Sequence, residues 1–508
     1  MKTKLFYFFT LLFLSLNYLN ATTYYVRSST GSDGNDGSQS SPFETLNIFF
    51  DGTVILQDGD VVDIEGTFNL SNKVIGRSIT ITGNNKSNSI IQGTVAGQNC
   101  FTIGGAGVWP TVVFENITFK DFDYFDEGAS RSGGAIQLSR GNLTIKKSNF
   151  ISNRSYTGGA IAILPSSTGD ESTVLIEDCY FFDNKTKKRS AAANADGGAI
   201  NVDTSIPILS LTIDRCLFEN NITERVGSAL RIAAKGNNST VLVQNSTFIG
   251  NEVSLLSNQL LGNTIWIEST TSNTNCDFKL INNTIAYNTN KKTEASAGAG
   301  IIVSSTAPGM VSLINNILFS NVNISDVSIS VTSSVNLKEA RNNITDTSFD
   351  FAAKTPEGMS SGNQINITSV SLSLSETLED KGGETKVLTI GSTSVAINTG
   401  YTIGVPAIDQ TGYTRTITDV GAFEWRDITS LYTNKNISQK ISYTQIAGKL
   451  IFKEIADYNA VRVYAPTGQL ITKQFISGNS YEFSGNTGLY VFVFENGTEN
   501  IAKKVLLK

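Results

Sequence analysis

The chain has 508 residues, 44 of them Gly and none His, and its 39 Lys+Arg against 45 Asp+Glu give a formal net charge of −6. Without histidine there is no Ser-His-Asp or Cys-His nucleophile system, no His-ligated zinc and no imidazole proton shuttle, and the acidic balance excludes a general nucleic-acid binder, whose surface must be basic. A length of this order predicts about two to four domains, four Cys are too few for a disulfide framework, and a charged fraction of only 17% points to a β-rich extracellular surface.

The chain opens with Met1-Lys-Thr-Lys4, the apolar run LFYFFTLLFLSL and a small residue, Ala21, before Thr22. That is a basic n-region, a short apolar h-region and a cleavage point between Ala21 and Thr22, so residues 1–21 are predicted to be a signal peptide. The run is shorter than the roughly 20 residues a membrane span needs, and no later stretch approaches that length. Loss of Lys2 and Lys4 would leave 37 basic and 45 acidic residues, an exported and acidic protein.

Next comes Gly31-Ser-Asp33-Gly-Asn35-Asp36-Gly, then Ser41-Pro-Phe43 and a first β-run around Gly59-Asp-Val-Val-Asp-Ile64. Asp33, Asn35 and Asp36 have the oxygen density of a calcium loop without the bidentate Glu of a full EF-hand, so Ca2+ is one expectation there; a turn that caps the end of the fold is the other.

From about residue 112 a unit recurs. It reads Leu143-Thr-Ile-Lys-Lys-Ser-Asn-Phe150-Ile-Ser-Asn153, with copies ending at Asn184, Asn221 and Asn251 and weaker ones at Asn288 and Asn321. Between copies stand Gly133-Gly-Ala-Ile136, Gly158-Gly-Ala-Ile161, Gly197-Gly-Ala-Ile200 and Gly227-Ser-Ala-Leu230. Apolar residues two apart in short runs, without helical periodicity, predict strands. Stacked coils of short parallel strands would place equivalent residues in columns about 4.8 Å apart. Phe119, Phe150, Phe181, Phe218 and Phe248 would fill one interior column, and Ser148, Cys179, Cys216 and Ser246 a second. The recurring Asn would form a ladder that satisfies backbone groups at one turn, a structural role. Cys179 and Cys216 are expected to stack inward; a disulfide would need their α-carbons within about 4.4–6.8 Å.

These repeats resemble the right-handed parallel β-helix superfamily of pectate-lyase-like proteins, and the Gly-Gly-Ala-Ile and Phe-x-x-Asn elements are similar to repeats of polymorphic outer-membrane adhesins. Asp380-Lys-Gly-Gly383, Ser394-Val-Ala-Ile-Asn398 and Asp419-Val-Gly-Ala-Phe-Glu424 look like the terminal region that often follows such helices. The expected fold is all-β: residues 22–340 a right-handed parallel β-helix, and 341–426 its terminal extension.

The last segment, 427–508, alternates apolar and polar residues in Lys449-Leu-Ile-Phe452, Ala460-Val-Arg-Val-Tyr464 and Gly488-Leu-Tyr-Val-Phe-Val-Phe494, which predicts a small antiparallel β-sandwich. With Thr467-Gly468-Gln469 and the closing Ile501-Ala-Lys-Lys-Val-Leu-Leu-Lys508 it resembles the sorting domain of the type IX secretion system, although the usual Pro-Asn-Pro is replaced near its expected place by Tyr432-Thr-Asn-Lys-Asn436. The resemblance implies export through the periplasm and across the outer membrane with that machinery as partner. A carbohydrate-binding sandwich would show the same alternation.

Stretches after the Asn ladder share one side of such a helix, and Arg154, Lys185, Lys187, Lys188, Arg189, Arg225, Lys291 and Lys292 accumulate there. A basic stripe concentrates anionic ligands, so the first six are candidate ligand-binding residues for an extracellular or cell-wall polysaccharide; solvated loop lysines would explain them too. Hydrolases of this superfamily carry paired aspartates with a His-Gly and an Arg-Ile-Lys; here there is no adjacent Asp pair and no His, and Arg231-Ile-Ala-Ala-Lys235 is only a partial echo, so a polygalacturonase-like hydrolase is not expected. Lyases use Ca2+ with a Lys or Arg base, and Asp121, Asp123, Asp126, Glu127, Asp196 and Asp203 are the acids available, scattered over several repeats. The catalytic residues stay unassigned. The expected role is a secreted or surface-attached adhesin or glycan-binding protein, using the loops Pro165 to Ser172 and Lys185 to Ala195; the alternative is a calcium-dependent polysaccharide lyase.

Overall fold

In the computed structural model the described residues are 21–426 and 441–507, apart from 106, 126–130, 166–170, 189–194, 205, 207, 235, 237, 255–261, 270–274, 292–298, 306–309, 323–328, 332–336, 447–448, 454, 456–457, 466–468 and 496–499. The predicted signal segment before Ala21 and the Tyr432–Asn436 motif therefore lie outside them. Ala21 and Thr22 are exposed, and the Thr22 N–H donates to Asp60 Oδ1 at 2.8 Å just ahead of the first strand, Thr23–Arg27.

Each coil of the repeat contributes to four parallel ladders. One coil supplies Ile136–Leu138 to the first, Asn142–Lys146 to the second, Asn149–Ile151 to the third and Arg154–Ser155 to the fourth. Ile161–Ile163 then re-enters the first ladder on the next coil, with Ile136 beside Ile161. Among the described residues the first ladder has nine strands and the fourth six; the second and third share the long strand Val61–Asn69 and form one 21-stranded sheet. This is a right-handed parallel β-helix, with every interior strand hydrogen-bonded to the coil above and below.

The columns fall where the repeat places them. The rings of Phe119, Phe150, Phe181, Phe218 and Phe248 stack at 5.1, 4.9, 4.7 and 4.6 Å, nearly parallel and fully buried. Cys179 and Cys216 are buried free thiols that donate to the carbonyls of Glu177 and Asp214, so no disulfide joins them. Asn153, Asn184, Asn221, Asn251, Asn288 and Asn321 form one continuous amide ladder, each Nδ2 donating to the next Oδ1 at 2.8–2.9 Å. A second amide ladder, Asn283, Asn316, Asn343 and Asn363, continues the Ser/Cys column and was not anticipated from the repeat.

Sharp corners separate the ladders. Between the second and third, one residue per coil takes a left-handed conformation: Asn116, Lys147, Asp178, Arg215, Asn245, Asn282, Asn315 and Asn342. Asn tolerates that region better than most residues, which accounts for its frequency there. The paired glycines have another cause. Gly158 has φ +63°, and a Cβ on Gly159 would lie 2.1 Å from the Gly198 carbonyl of the next coil.

Beyond Ser360–Ser361 the chain leaves the ladders and folds back over the outer face of the third. Antiparallel bridges Leu374 to Ile390 and Glu379 to Val387 make a hairpin whose tip reaches Lys86, which donates to the Glu384 carbonyl at 3.1 Å. This return arm is fastened to the left-handed corner: Asn342 donates to Thr399 O, Asn315 to Tyr401 O and Asn282 to Asp419 O, and Arg415 donates to Asn245. Leu372, Val387, Leu388, Val420 and Phe423 bury themselves against Ala286, Ile317, Phe319 and Ile344.

Residues 441–507 form two antiparallel sheets. Ser442–Ile446, Lys449–Lys453 and Ser480–Ser484 make one; Leu470–Phe475, Ala460–Tyr464, Gly488–Glu495 and Asn500–Leu507 make the other. Their inner faces enclose Leu450, Phe452, Val461, Val463, Phe483, Phe492 and Phe494, the core of a small sandwich.

Candidate functional site

The stripe expected from Arg154, Lys185, Lys187, Lys188, Arg189 and Arg225 is, in the structure, largely a set of ion pairs. Arg154 and Lys185 are neighbours on the fourth ladder, and in-register stacking would set two like charges side by side. Each is turned to an acid instead: Arg154 grips Asp123 with two bonds, Nε to Oδ1 at 2.7 Å, and Lys185 meets Asp183 at 2.8 Å. Lys291 pairs with Glu252 at 2.7 Å, and Lys187 lies 5.1 Å from the Phe125 ring centre. Arg189 and Lys292 lie outside the described residues, as do Asp126, Glu127 and most of the loop after Pro165.

Lys188 differs from the rest. It is 9% exposed, its backbone N–H donates to Glu224 Oε2 at 2.8 Å, and its Nζ has no hydrogen-bond partner among the described residues. Burial, then the nearby Arg225 charge, pull its pKa below the usual lysine value, outweighing Glu224 and Asp196.

Lys188 borders a cluster on the outer face of the first ladder, where acids and bases converge. Arg231, 5% exposed, donates through Nη1 to Asn201 at 3.1 Å and to Asp203 at 3.0 Å, and through Nη2 to Glu268 at 3.0 Å. Asp196, 2% exposed, takes both arms of Arg225 and stands 3.6 Å from Arg231 Nε. Burial opposes the charge on Arg231, but Asp196, Asp203 and Glu268 outweigh it and hold the guanidinium more firmly protonated than usual.

Strand register explains the convergence. Ile200–Thr204, Leu230–Ala234 and Ile265–Ser269 stack in order, with Asp203 beside Ala233 and Ala233 beside Glu268. Asp203 and Glu268 thus rise in one outward column two coils apart, with only a methyl between them, and the Arg231 side chain from the middle coil ties them together. Their side chains are 37% and 34% exposed, whereas Arg231 is sunk. Both bonds measure 3.0 Å, so the carboxylate oxygens stand no more than about 8 Å apart, a spacing at which a carboxyl pair can flank a glycosidic bond. Trp266, on the coil of Glu268, is buried with Val226 and Ile302 and directs its Nε1 to Glu268 at 3.4 Å.

Sequence reasoning noted Asp196, Asp203 and the Arg231 segment without joining them, and missed Glu268. Aligning the copies on Ile200, Leu230 and Ile265 would have found the pair, since Asp203 and Glu268 each stand three residues on.

The Asp33–Asp36 loop serves as a turn. Asp33 accepts from the backbone of Glu44 and Thr45 and from Thr45 Oγ1, Asp36 accepts from Ser38 N–H, and Asn35 donates to Pro42 O. Among the described residues no three His, Cys, Asp or Glu side chains gather as metal ligands.

No family model matches the chain. A 183-residue stretch, 36% of the chain, is 26% identical to the metabotropic glutamate receptor-like protein P of Dictyostelium discoideum; it spans 11% of that protein's length. Among solved structures, the GH136 lacto-N-biosidase of Eubacterium ramulus aligns with a TM-score of 0.30 and 12% identity over 68% of each chain. A variant of the PL6 alginate lyase AlyGC aligns at 0.23 and 11% identity, over 76% of this chain and 58% of the lyase. No helix among the described residues is long and apolar enough to cross a membrane.

Proposed function

We propose that the protein is a carbohydrate-active β-helix that cleaves a glycan on the first-ladder face around Arg231. The observation that carries this reading is the column of Asp203 and Glu268, two half-exposed carboxylates held on the arms of one buried guanidinium. In glycosidic hydrolysis one carboxyl group protonates the leaving oxygen while the other, ionised, assists water or the anomeric carbon from the opposite face. Arg231 fixes the orientation of both, and the substrate's arrival must free one of them to carry the proton. The three cations Lys188, Arg225 and Arg231 stand among four carboxylates, Asp196, Asp203, Glu224 and Glu268, a balance that favours a neutral sugar over a uronate.

A second reading rests on Lys188. A buried amine of lowered pKa is suited to removing a proton beside a uronate carboxyl group, the first step of β-elimination. One assay separates the two. The purified chain is incubated with neutral and uronate-containing oligosaccharides while new reducing ends and ultraviolet absorbance are followed. Hydrolysis yields reducing ends alone, and Asp203→Asn and Glu268→Gln should each lower the rate by about 100-fold or more without loss of fold. An absorbance rise abolished by Lys188→Ala would transfer the role to elimination. Retention of a glycan without cleavage would make the protein an adhesin.

Export by the type IX route belongs to the same proposal. Its supports are the amino-terminal apolar run and the sandwich, in which Val461-Arg-Val-Tyr464 and the closing Ile501–Leu507 run both pair with Gly488–Glu495. A reporter placed between residues 1–21 and residues 427–508 should reach the surface or medium of a type IX-competent cell and remain periplasmic in a secretion-deficient one.

A further inference from the structure

Between the third ladder and the hairpin of the return arm lies a groove of about 520 Å³. Its floor is aromatic. The half-buried rings of Tyr180 and Phe182 lie 5.7 Å apart at 29°, and the Tyr180 hydroxyl donates to Glu219 Oε2 at 2.5 Å, which fixes the ring. Asn149 extends the floor on the preceding coil, and Asp380 and Lys386 of the hairpin form the facing wall. The groove is closed at one end by the Lys86–Glu384 pair, 3.4 Å.

We infer that this groove is a binding site for a neutral pyranose, of mono- or disaccharide size, separate from the Arg231 cluster. An amphipathic aromatic floor offers a flat apolar face to the C–H side of a sugar ring, while the groups at its edge accept and donate at the hydroxyls. The volume lies within the range of small-ligand sites. With Lys86 and Glu384 paired, Glu219 and Asp380 outnumber Lys386 in the lining, and this net negative charge disfavours a uronate and selects the neutral sugar. The site uses residues of the third ladder and the arm, with Lys86 from an earlier turn, and none of the Arg231 cluster, so it stands or falls independently of cleavage at Asp203 and Glu268.

The test is saturation-transfer NMR and calorimetry on the full chain with hexoses, N-acetylhexosamines and their β-linked disaccharides, and with glucuronate as the charged counterpart. A neutral sugar should bind, Phe182→Ala should weaken it about tenfold and Glu219→Gln several-fold, and Asp203→Asn should leave it unchanged. Asp380→Ala, on the exposed hairpin, provides a second reading should Phe182→Ala unfold. The inference is overturned if no neutral sugar binds, if glucuronate binds more tightly, or if binding survives the groove variants and is lost with Asp203→Asn.

Discussion

At the scale of single residues, the interior amides carry an unusual share of the hydrogen bonding. Asn221 receives Nδ2 and N–H from Asn184 on its Oδ1 and donates its own Nδ2 to Asn251 and to the Phe181 carbonyl, all fully buried. Replacing it with Ala strands the Asn184 N–H and the Phe181 carbonyl in a dry interior. We expect Asn221→Ala to cost about 2–4 kcal/mol, since each orphaned polar group carries a penalty of about 1–3 kcal/mol; a denaturant titration would check it, and a loss below 1 kcal/mol would mean water enters the column. The same one-per-coil logic governs charge. Arg154 and Lys185 stack in register and survive because Asp123 and Asp183 stand beside them, so a cation column read from the sequence alone overstates the field it exerts.

Columns and arm set the behaviour at the scale of elements. Phe218 is held between Phe181 and Phe248 at 4.7 and 4.6 Å and has no exposed surface. Phe218→Ala should destabilise the helix by about 3–5 kcal/mol through the cavity it opens. Phe218→Leu should cost less, because the column itself changes to Ile285 and Leu318 further on; equal losses for the two variants would show that ring stacking rather than filled volume is what counts. In the return arm, burial raises the carboxyl pKa of Asp419 and Glu424, over the opposing effects of the backbone N–H bonds they accept and of Arg415. An acid whose folded pKa lies above its unfolded value binds more protons when folded, so its contribution weakens as pH rises from about 4 through the folded value. Amide exchange at Gly421 and Ala422, corrected for intrinsic rates, should therefore show stronger protection near pH 4 than at pH 7. The reverse order would mean that the bond between Arg415 and Glu424, 2.9 Å, dominates the arm's attachment.

For the molecule as a whole, the legible part of the fold was the part that repeats. Every coil restates the Phe, Asn and Gly-Gly positions, so even one sequence carries several copies of the same information. The Asp203–Arg231–Glu268 site was hidden because its bonds join residues 28 and 37 apart on different coils, each ordinary within its own copy. The arm was hidden for a different reason: it docks through single side chains on a corner, Asn245, Asn282, Asn315 and Asn342, whose shared position becomes readable only once the corner is known. The sandwich was legible from its alternation, and among the described residues its core cluster is drawn from 441–507. Residues 427–508 expressed alone should therefore melt cooperatively with a β-sheet circular-dichroism spectrum; a flat melt would show that the sandwich depends on the helix.

The arm also decides how the protein bears force. A solenoid whose chain left from its last coil would open under tension like a zipper, one rung at a time. Here the chain departs from the flank, with Ala422 held at Thr284 and Arg415 at Asn245, so a pull on whatever follows residue 426 enters as shear across several corner bonds loaded together. A protein tethered by that end would hang from its side, with its terminal rungs unloaded.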